Sequence, residues 1–138
     1  YEMSASLVGS EMCIRDSVVG DVVTPALQKG DLLLLASASG ETASLVNVAT
    51  KAKQLGGTVA LLTIFPESTL GKLADVVVRI PAYTDKLPDG PDNVKGILPG
   101  GSLFEEAVMV LGDAMIVNLA QSTGYRLTKG FALHANLE

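Results

Sequence analysis

Residues 31–42 read DLLLLASASGET, and this stretch decides the fold class. The run Asp31–Ser37 is continuously apolar and too short for a helix, which is typical of a strand buried on both faces of a sheet. A Ser/Gly loop follows. The next segment predicts a helix, and its apolar stripe comprises Leu45, Val48, Ala49, Ala52 and Leu55. A buried strand that turns through glycine into a helix is the unit of a parallel α/β sheet.

The alternation continues downstream. Gly56-Gly57 ends the helix, and Thr58–Thr63 (TVALLT) predicts the next buried strand. Ser68–Ala74 predicts one or two helical turns. Val76–Ile80 (VVVRI) predicts a further strand, which Pro81 stops.

Two long features follow that strand. Residues 82–101 carry several Pro and Gly and no period, so we expect a long loop, a kind of segment that is often functional. A helix is then predicted from Ser102 to about Thr123, with Gly124 as its stop. The side chains expected to face the core are Leu103, Ala107, Leu111, Met115 and Leu119.

The first residues do not fit the alternation. Val18–Val23 is a short β-rich run closed by Thr24-Pro25, whereas residues 1–17 show neither a strand run nor a helical stripe. Within them, SEMCIRDS resembles the peptide translated from sequencing-adapter DNA. We therefore expect residues 1–17 to be a non-native or disordered leader and residues 18–138 to be the domain; an ordinary disordered arm is the alternative.

Composition excludes several function classes. The chain has a formal net charge of −5 and no basic block, which argues against a nucleic-acid partner. No apolar run approaches the roughly 18 residues of a membrane span, and nothing resembles a secretory signal, so a cytoplasmic protein is expected. With one cysteine, Cys13, and one histidine, an internal disulfide is impossible and a zinc site implausible. We predict no metal and no other cofactor.

The loop after Asp31–Ser37 has the chemistry of an anion site. It leaves the carboxyl end of a strand and enters a helix, whose first N–H groups and dipole favour a negative charge. Three hydroxyls, on Ser37, Ser39 and Thr42, add donors, and Gly40 lets the backbone approach a phosphate closely. Because the loop contains neither GxxxxGK[ST] nor GxGxxG, a sugar monophosphate suits it better than a nucleotide. The alternative is that Ser39 is simply an N-cap.

Ser-x-Ser-Gly-Glu-Thr after an apolar strand resembles the phosphate loop of sugar-phosphate isomerase (SIS) domains. The chain is most similar to the 6-phospho-3-hexuloisomerase branch of that family, and the similarity extends from Val18 to Glu138. The stretches that carry it are VVGDVVTP at 18–25, residues 30–56, KLADVVVRIP at 72–81, GSLFEEAVMVLGDA at 101–114 and HANLE at 134–138. The resemblance implies conversion of 3-hexulose 6-phosphate into fructose 6-phosphate, within formaldehyde assimilation by the ribulose monophosphate route.

The resemblance also implies a three-layer, flavodoxin-like parallel sheet with strand order 2-1-3-4-5. That family's first strand and its Gly-x-Gly-Arg-Ser-type loop have no counterpart here, because residues 1–17 do not match. We therefore expect residues 18–23 to be detached from the sheet or poorly packed, the Asp31–Ser37 edge to be exposed, and residues 1–17 not to supply a proper replacement strand. We expect activity of the parent protein rather than of this chain alone. Pro99-Gly100-Gly101 replaces a Pro-Met-Gly-like step, which leaves substrate contacts in that region open.

An isomerase of this kind moves a proton between adjacent carbons through an enediol. The resemblance implies Glu105 as the base, with Glu106 as its substitute, and His134 as the second acid/base or as a partner of a sugar hydroxyl. From the residues alone, Ser102 and Glu105 form the capping-box pattern S-x-x-E. The family's habit of sending a histidine into a neighbouring subunit implies a homo-oligomer, expected as a tetramer. Glu41 is expected at its own helix start without a catalytic role, and Thr24 lines the sugar pocket or is a plain turn residue.

Three rival functions remain open at this point. The first is another SIS isomerase, such as one acting on arabinose 5-phosphate. The second is a non-catalytic sugar-phosphate-binding SIS module. The third is an inert fragment, if the missing strand prevents folding.

Overall fold

The computed structural model describes residues 17–22, 24–93 and 95–124. These residues form two compact units, one of Ala26–Val108 and one of the described residues in 17–25 and 109–124. The elements in chain order are β1 (Leu32–Ala36), α1 (Ala43–Gln54), β2 (Thr58–Thr63), α2 (Thr69–Leu73), β3 (Val76–Arg79) and α3 (Ser102–Ser122). In the described part of the chain, no helix is long and apolar enough to cross a bilayer.

The three strands form a parallel sheet in the order β1-β2-β3. Leu35 pairs with Leu61, and Leu61 pairs in turn with Val77. Consecutive neighbours are what the order 2-1-3-4-5 requires of its last three strands. The predicted α/β class is confirmed, and each of these strands lies within two residues of its predicted bounds.

One face of the sheet carries the core. Buried side chains from β1, β2, α1 and α2 meet there: Leu33, Leu35, Ala49, Ala52, Val59, Leu61 and Leu70. The helices α1 and α2 contribute Ala49, Ala52 and Leu70 to this cluster, so both pack on the same face. Ala49 and Ala52 confirm the predicted stripe of α1, but Leu55 lies beyond the helix as its C-cap and is 48% exposed.

The prediction that Asp31–Ser37 is buried on both faces is wrong. Leu33 and Leu35 are buried, whereas Leu32 and Leu34 are 61% and 41% exposed. Successive side chains of a strand point to opposite faces, and α1 and α2 pack against the face that Leu33 and Leu35 share. The apolar run therefore reflects β propensity on both faces but burial on one.

The run Val18–Val23 is not a strand in its described residues. Residues 18–22 and 24 form turns, in which Val18 O accepts from Asp21 N at 3.2 Å and Asp21 O accepts from Thr24 N at 3.2 Å. Val22 is fully exposed. These turns satisfy backbone groups locally, and the sheet β1-β2-β3 contains none of the described residues 18–22. The prediction that residues 1–17 do not supply a replacement strand falls outside the described residues, except at Ser17.

The helix α3 has the predicted bounds within one residue. Gly124 ends it with a φ of +69°, and its N–H donates to Gln121 O at 3.2 Å. The predicted core stripe is displaced by one position, because Phe104 and Val108 are buried while Leu103 is 42% exposed. The α3 sequence is apolar on most sides, so its periodicity could not select the buried stripe.

Candidate functional site

The candidate site lies where β1 leaves the sheet. Ser37 extends the strand pairing by one residue, since its N–H donates to Leu62 O at 2.9 Å. Residues 37–42 then connect β1 to α1. Because all three strands are parallel, this loop shares the carboxyl edge of the sheet with the segments that follow β2 and β3. That edge is where open α/β sheets bind ligands.

The two loop serines act as acceptors within the loop. Ser37 Oγ accepts from Gly40 N at 3.1 Å, and Ser39 Oγ accepts from Glu41 N at 3.3 Å. Each of the two residues is 5% exposed. A hydroxyl that accepts still has its O–H to donate, and in the described residues neither serine donates to a protein group. The arrangement fixes both oxygens and leaves two O–H donors for an anion.

The helix α1 begins without a side-chain cap. Its N-cap residue is Thr42, whose side chain makes no capping hydrogen bond, and the first intrahelical bond runs from Val46 N to Thr42 O at 3.0 Å. The alternative that Ser39 caps this helix is therefore wrong, because Ser39 bonds Glu41 N instead. No side-chain cap therefore occupies the first N–H groups of α1, which lie at the positive end of the helix dipole. An uncapped start of this kind favours binding of an anion.

A glycine is required at position 40 for two reasons, its backbone conformation and the closeness of Ser68. Its φ is +67°, and a Cβ built on it would lie 1.9 Å from Ser68 Oγ and 3.4 Å from Thr63 Oγ1. The sequence predicted a close approach to phosphate at this glycine. The structure adds an approach to the N-cap of α2, a contact that sequence spacing could not reveal.

The segment between β2 and α2 holds the loop from behind. Ala38 O accepts from Ile64 N at 3.2 Å and from Thr63 Oγ1 at 3.3 Å. Gly40 O accepts from Leu70 N at 3.0 Å. These partners are about 25 to 30 residues away in sequence, so only the parallel register brings them to the loop.

Glu41 lies at the start of α1 as predicted, but its carboxylate binds the start of α2. Its Oε1 accepts from Thr69 N at 2.8 Å and its Oε2 from Thr69 Oγ1 at 2.7 Å. It therefore binds the first N–H of α2, whose N-cap is Ser68, rather than an N–H of the helix that it precedes. The pKa of the Glu41 carboxyl is lowered, first by the Thr69 hydroxyl, then by the Thr69 backbone N–H and, to a smaller extent, by the charge of Lys72.

Glu105 lies in the first turn of α3 with its side chain exposed. The capping box predicted as its alternative role does not form. Ser102 Oγ donates to Pro99 O at 2.8 Å, and Glu105 N donates to Gly101 O at 3.1 Å. Among the described residues, the Glu105 carboxylate makes no hydrogen bond, either to the loop of residues 37–42 or to any other group. Its neighbour Glu106 is exposed as well.

Comparison with known proteins decides the family. The sequence model of the SIS domain matches residues 19–97, more than half of the chain. The chain belongs to the SIS domain family. It is 46% identical over 121 residues to the 3-hexulose-6-phosphate isomerase of Bacillus subtilis (strain 168), which covers 88% of this chain and 64% of that protein. It is 41% identical over 121 residues to the 3-hexulose-6-phosphate isomerase of Mycobacterium gastri, covering 88% of this chain and 59% of that protein.

A solved structure supports the same relationship. The match is to hypothetical protein MJ1247 from Methanococcus jannaschii, for which a molecular function of 3-hexulose-6-phosphate isomerase has been inferred. The TM-score is 0.74 at 26% identity, over 92% of this chain and 66% of that chain. The chain thus spans less than two thirds of the length of each of these three relatives.

Four of the predicted site residues lie together in the structure. Ser37, Ser39, Gly40 and Thr42 share the loop between β1 and α1. Glu105 belongs to a separate element, and His134 lies outside the described residues. Thr24 is a turn residue whose hydroxyl donates to Val18 O. In the described ranges, no group of three or more His, Cys, Asp or Glu side chains could hold a metal ion.

The segment after β3 is an ordered part of the SIS domain. Asn93 is 2% exposed and uses every polar atom of its amide. Its Oδ1 accepts from Thr84 N at 2.8 Å, and its Nδ2 donates to the carbonyl oxygens of Thr84, Leu87 and Pro88 at 3.0, 2.9 and 3.1 Å. The sequence predicted a long loop here but missed Asn93, because one asparagine among prolines and glycines is normally a turn residue.

This segment also reaches the start of α3. A Cβ built on Gly100 would lie 3.3 Å from Asp85 Oδ2, and the φ of Gly100 is +56°. Tyr83 is 8% exposed, and its pKa is raised, first by burial and then by the charge of Asp89. The ordered segment therefore connects the carboxyl edge of the sheet to the turn that precedes Glu105.

Proposed function

We propose that the complete protein is an isomerase that interconverts 3-hexulose 6-phosphate and fructose 6-phosphate through an enediol. One observation carries the proposal: a lysine-free loop with two O–H donors stands beside an uncapped helix at the carboxyl edge of the sheet. The identity of 46% to an isomerase of this name supports the choice of substrate.

The loop is suited to holding a phosphate that does not react. Ser37 and Ser39 offer O–H donors, Thr42 adds a half-buried hydroxyl, and the first N–H groups of α1 offer backbone donors. Hydrogen bonds to a charged group are stronger than those between neutral groups. Without a lysine, the loop supplies position rather than the charge that phosphoryl transfer needs.

In the proposed reaction, Glu105 takes the proton from C2 of 3-hexulose 6-phosphate. The C–H electron pair forms the double bond between C2 and C3, while the C3 carbonyl oxygen receives a proton. The C2 hydroxyl then loses its proton, a carbonyl forms at C2, and C3 takes a proton to give fructose 6-phosphate. His134 is proposed to carry the protons between the two oxygens.

Three further features belong to the proposal. The complete protein is a homo-oligomer, with a tetramer as the family expectation, and His134 serves the site of a neighbouring subunit. The reaction belongs to formaldehyde assimilation by the ribulose monophosphate route. The protein acts in the cytoplasm, where phosphorylated sugars are retained.

Turnover by the protein expressed from the complete gene tests the proposal. We expect fructose 6-phosphate to form from 3-hexulose 6-phosphate, and in D₂O we expect deuterium at C3 of the product. Glu105→Gln should abolish nearly all turnover while phosphate affinity persists, and the matched variant Glu106→Gln should stay active. Activity on arabinose 5-phosphate alone would contradict the proposal. Full activity of both glutamine variants would contradict the carboxylate mechanism.

A further inference from the structure

We propose that Glu41 is a positioning residue, which acts on the phosphate loop through Thr69 and does not touch the substrate. This inference rests on the proposed function, since it concerns the loop assigned there to the sugar phosphate. Glu41 and Thr69 form a hydrogen-bonded pair, the latch.

The latch uses both oxygens of one carboxylate. Glu41 accepts from the N–H and the hydroxyl of Thr69, at 2.8 and 2.7 Å, across 28 positions of sequence. A carboxylate held at both oxygens fixes the direction of its side chain and of the backbone that bears it. Glu41 N is also the donor to Ser39 Oγ. The latch therefore fixes the peptide that orients one of the two proposed phosphate hydroxyls.

The latch also determines the position of the negative charge of Glu41. Glu41 precedes Thr42, the N-cap of α1, and the start of α1 has no side-chain cap. A free carboxylate at this position would be attracted to the same N–H groups and the same dipole that favour a phosphate. Because Thr69 binds the carboxylate at the start of α2, the charge is kept away from the start of α1.

Contacts of Gly40 with Ser68 and Leu70 hold the two segments of the latch side by side. The backbone of Gly40 lies against the side chain of Ser68, and Gly40 O accepts from Leu70 N at 3.0 Å. The residues on both sides of Thr69 thus contact the residue that precedes Glu41. The loop and the start of α2 are therefore joined by several contacts, and the latch is the solvent-exposed one.

The test compares four variants of the complete protein by KM and kcat for 3-hexulose 6-phosphate. Thr69→Val removes one of the two donors and loosens the carboxylate. KM should therefore rise about three- to tenfold, which is within the range of interaction energies between residues in contact. The value of kcat should stay within about twofold of the wild type. Thr69→Ser keeps both donors and should match the wild type. Glu41→Gln weakens the latch but carries no competing charge, so its KM should rise less than that of Thr69→Val.

The matched control is Asp75→Asn. Asp75 is also a carboxylate that accepts a backbone N–H, from Val59 at 2.9 Å, and it pairs with Lys53. It precedes β3, at the amino edge of the sheet, so its loss should leave KM unchanged while lowering stability. An unchanged KM in Thr69→Val, or an equal rise in Asp75→Asn, would overturn the inference.

Titration with inorganic phosphate separates this inference from the proposed function. If the wild type binds phosphate but does not turn over 3-hexulose 6-phosphate, the proposed reaction is wrong, and weaker phosphate binding by Thr69→Val still supports the latch. If the wild type is active and Thr69→Val binds phosphate equally well, the latch is wrong and the reaction stands.

Discussion

Gly40 and Ser68 pack so closely that a Cβ atom on Gly40 would lie 2.4 Å from Ser68 Cβ. The contact joins the loop after β1 to the N-cap of α2, where Ser68 Oγ accepts from Gly71 N at 3.2 Å. The loop of the proposed phosphate site therefore depends on a second loop that starts one strand away. Substitutions on either side of this contact should act on both stability and binding.

Gly40→Ala should destabilise the protein and weaken sugar-phosphate binding. A non-glycine residue in the left-handed region costs about 1–2 kcal/mol before any steric clash is counted. Urea denaturation measures the loss. The control Gly96→Ala, at a glycine with open space around it, should change the free energy of unfolding by less than about 0.5 kcal/mol.

A second variant separates strain from clash. Gly40→Ala combined with Ser68→Gly removes the contacting side chain and should recover part of the lost stability, while the strain at a φ of +67° remains. If the single Gly40→Ala variant unfolds at the wild-type urea concentration, the close contact between the two loops is wrong.

Asn93→Ala should destabilise the segment after β3. The substitution leaves the buried Thr84 N–H without its acceptor and removes the two amide N–H donors that serve the nearby carbonyl groups, and one unsatisfied buried group costs about 1–3 kcal/mol. Thermal and urea denaturation measure the effect. Asp92→Ala is the matched control, because Asp92 pairs with Arg79 at the surface, where an ion pair contributes at most about 1 kcal/mol. Equal effects of the two substitutions would contradict the role given to Asn93.

Asp75 should make stability sensitive to acid. Its pKa is lowered, first by the hydrogen bond from Lys53 and then by the Val59 N–H. A group with a lowered folded pKa stabilises the protein above its ordinary pKa, about 3.9 for Asp, and this contribution is lost as pH falls through the lowered value. The stability difference between wild type and Asp75→Asn should therefore be constant near pH 7 and shrink below about pH 4. A difference that does not vary between pH 7 and pH 2 would rule out this linkage.

The sequence predicted the parts of the fold that local patterns determine. TVALLT at 58–63 is a strand with the predicted bounds, and Gly124 ends α3 as expected. The buried stripe of α3 was predicted one residue away from Phe104, because an apolar helix offers no periodic contrast. The burial of Leu34 was also misjudged, since burial depends on which layers cover a face and not on the strand itself.

The candidate site was predictable in its chemistry and not in its support. Ser37 and Ser39 were found from residue type and from their place after a strand. Their orientation depends on Thr63 and Thr69, which the parallel register brings to the loop from distant positions. The binding of the Glu41 carboxylate to the start of α2 was missed for the same reason, because its partner is 28 residues away.

Ser39 and its loop are proposed to hold the phosphate of the substrate. Isothermal titration of the complete protein with fructose 6-phosphate, comparing wild type with Ser39→Ala, measures this binding. Loss of one hydrogen bond to a charged group should cost about 1.5–3 kcal/mol, or roughly 10- to 150-fold in Kd. The control Ser44→Ala, an exposed serine in the first turn of α1, should bind as the wild type does. Equal affinity of Ser39→Ala and wild type, with both proteins folded, would contradict the claim.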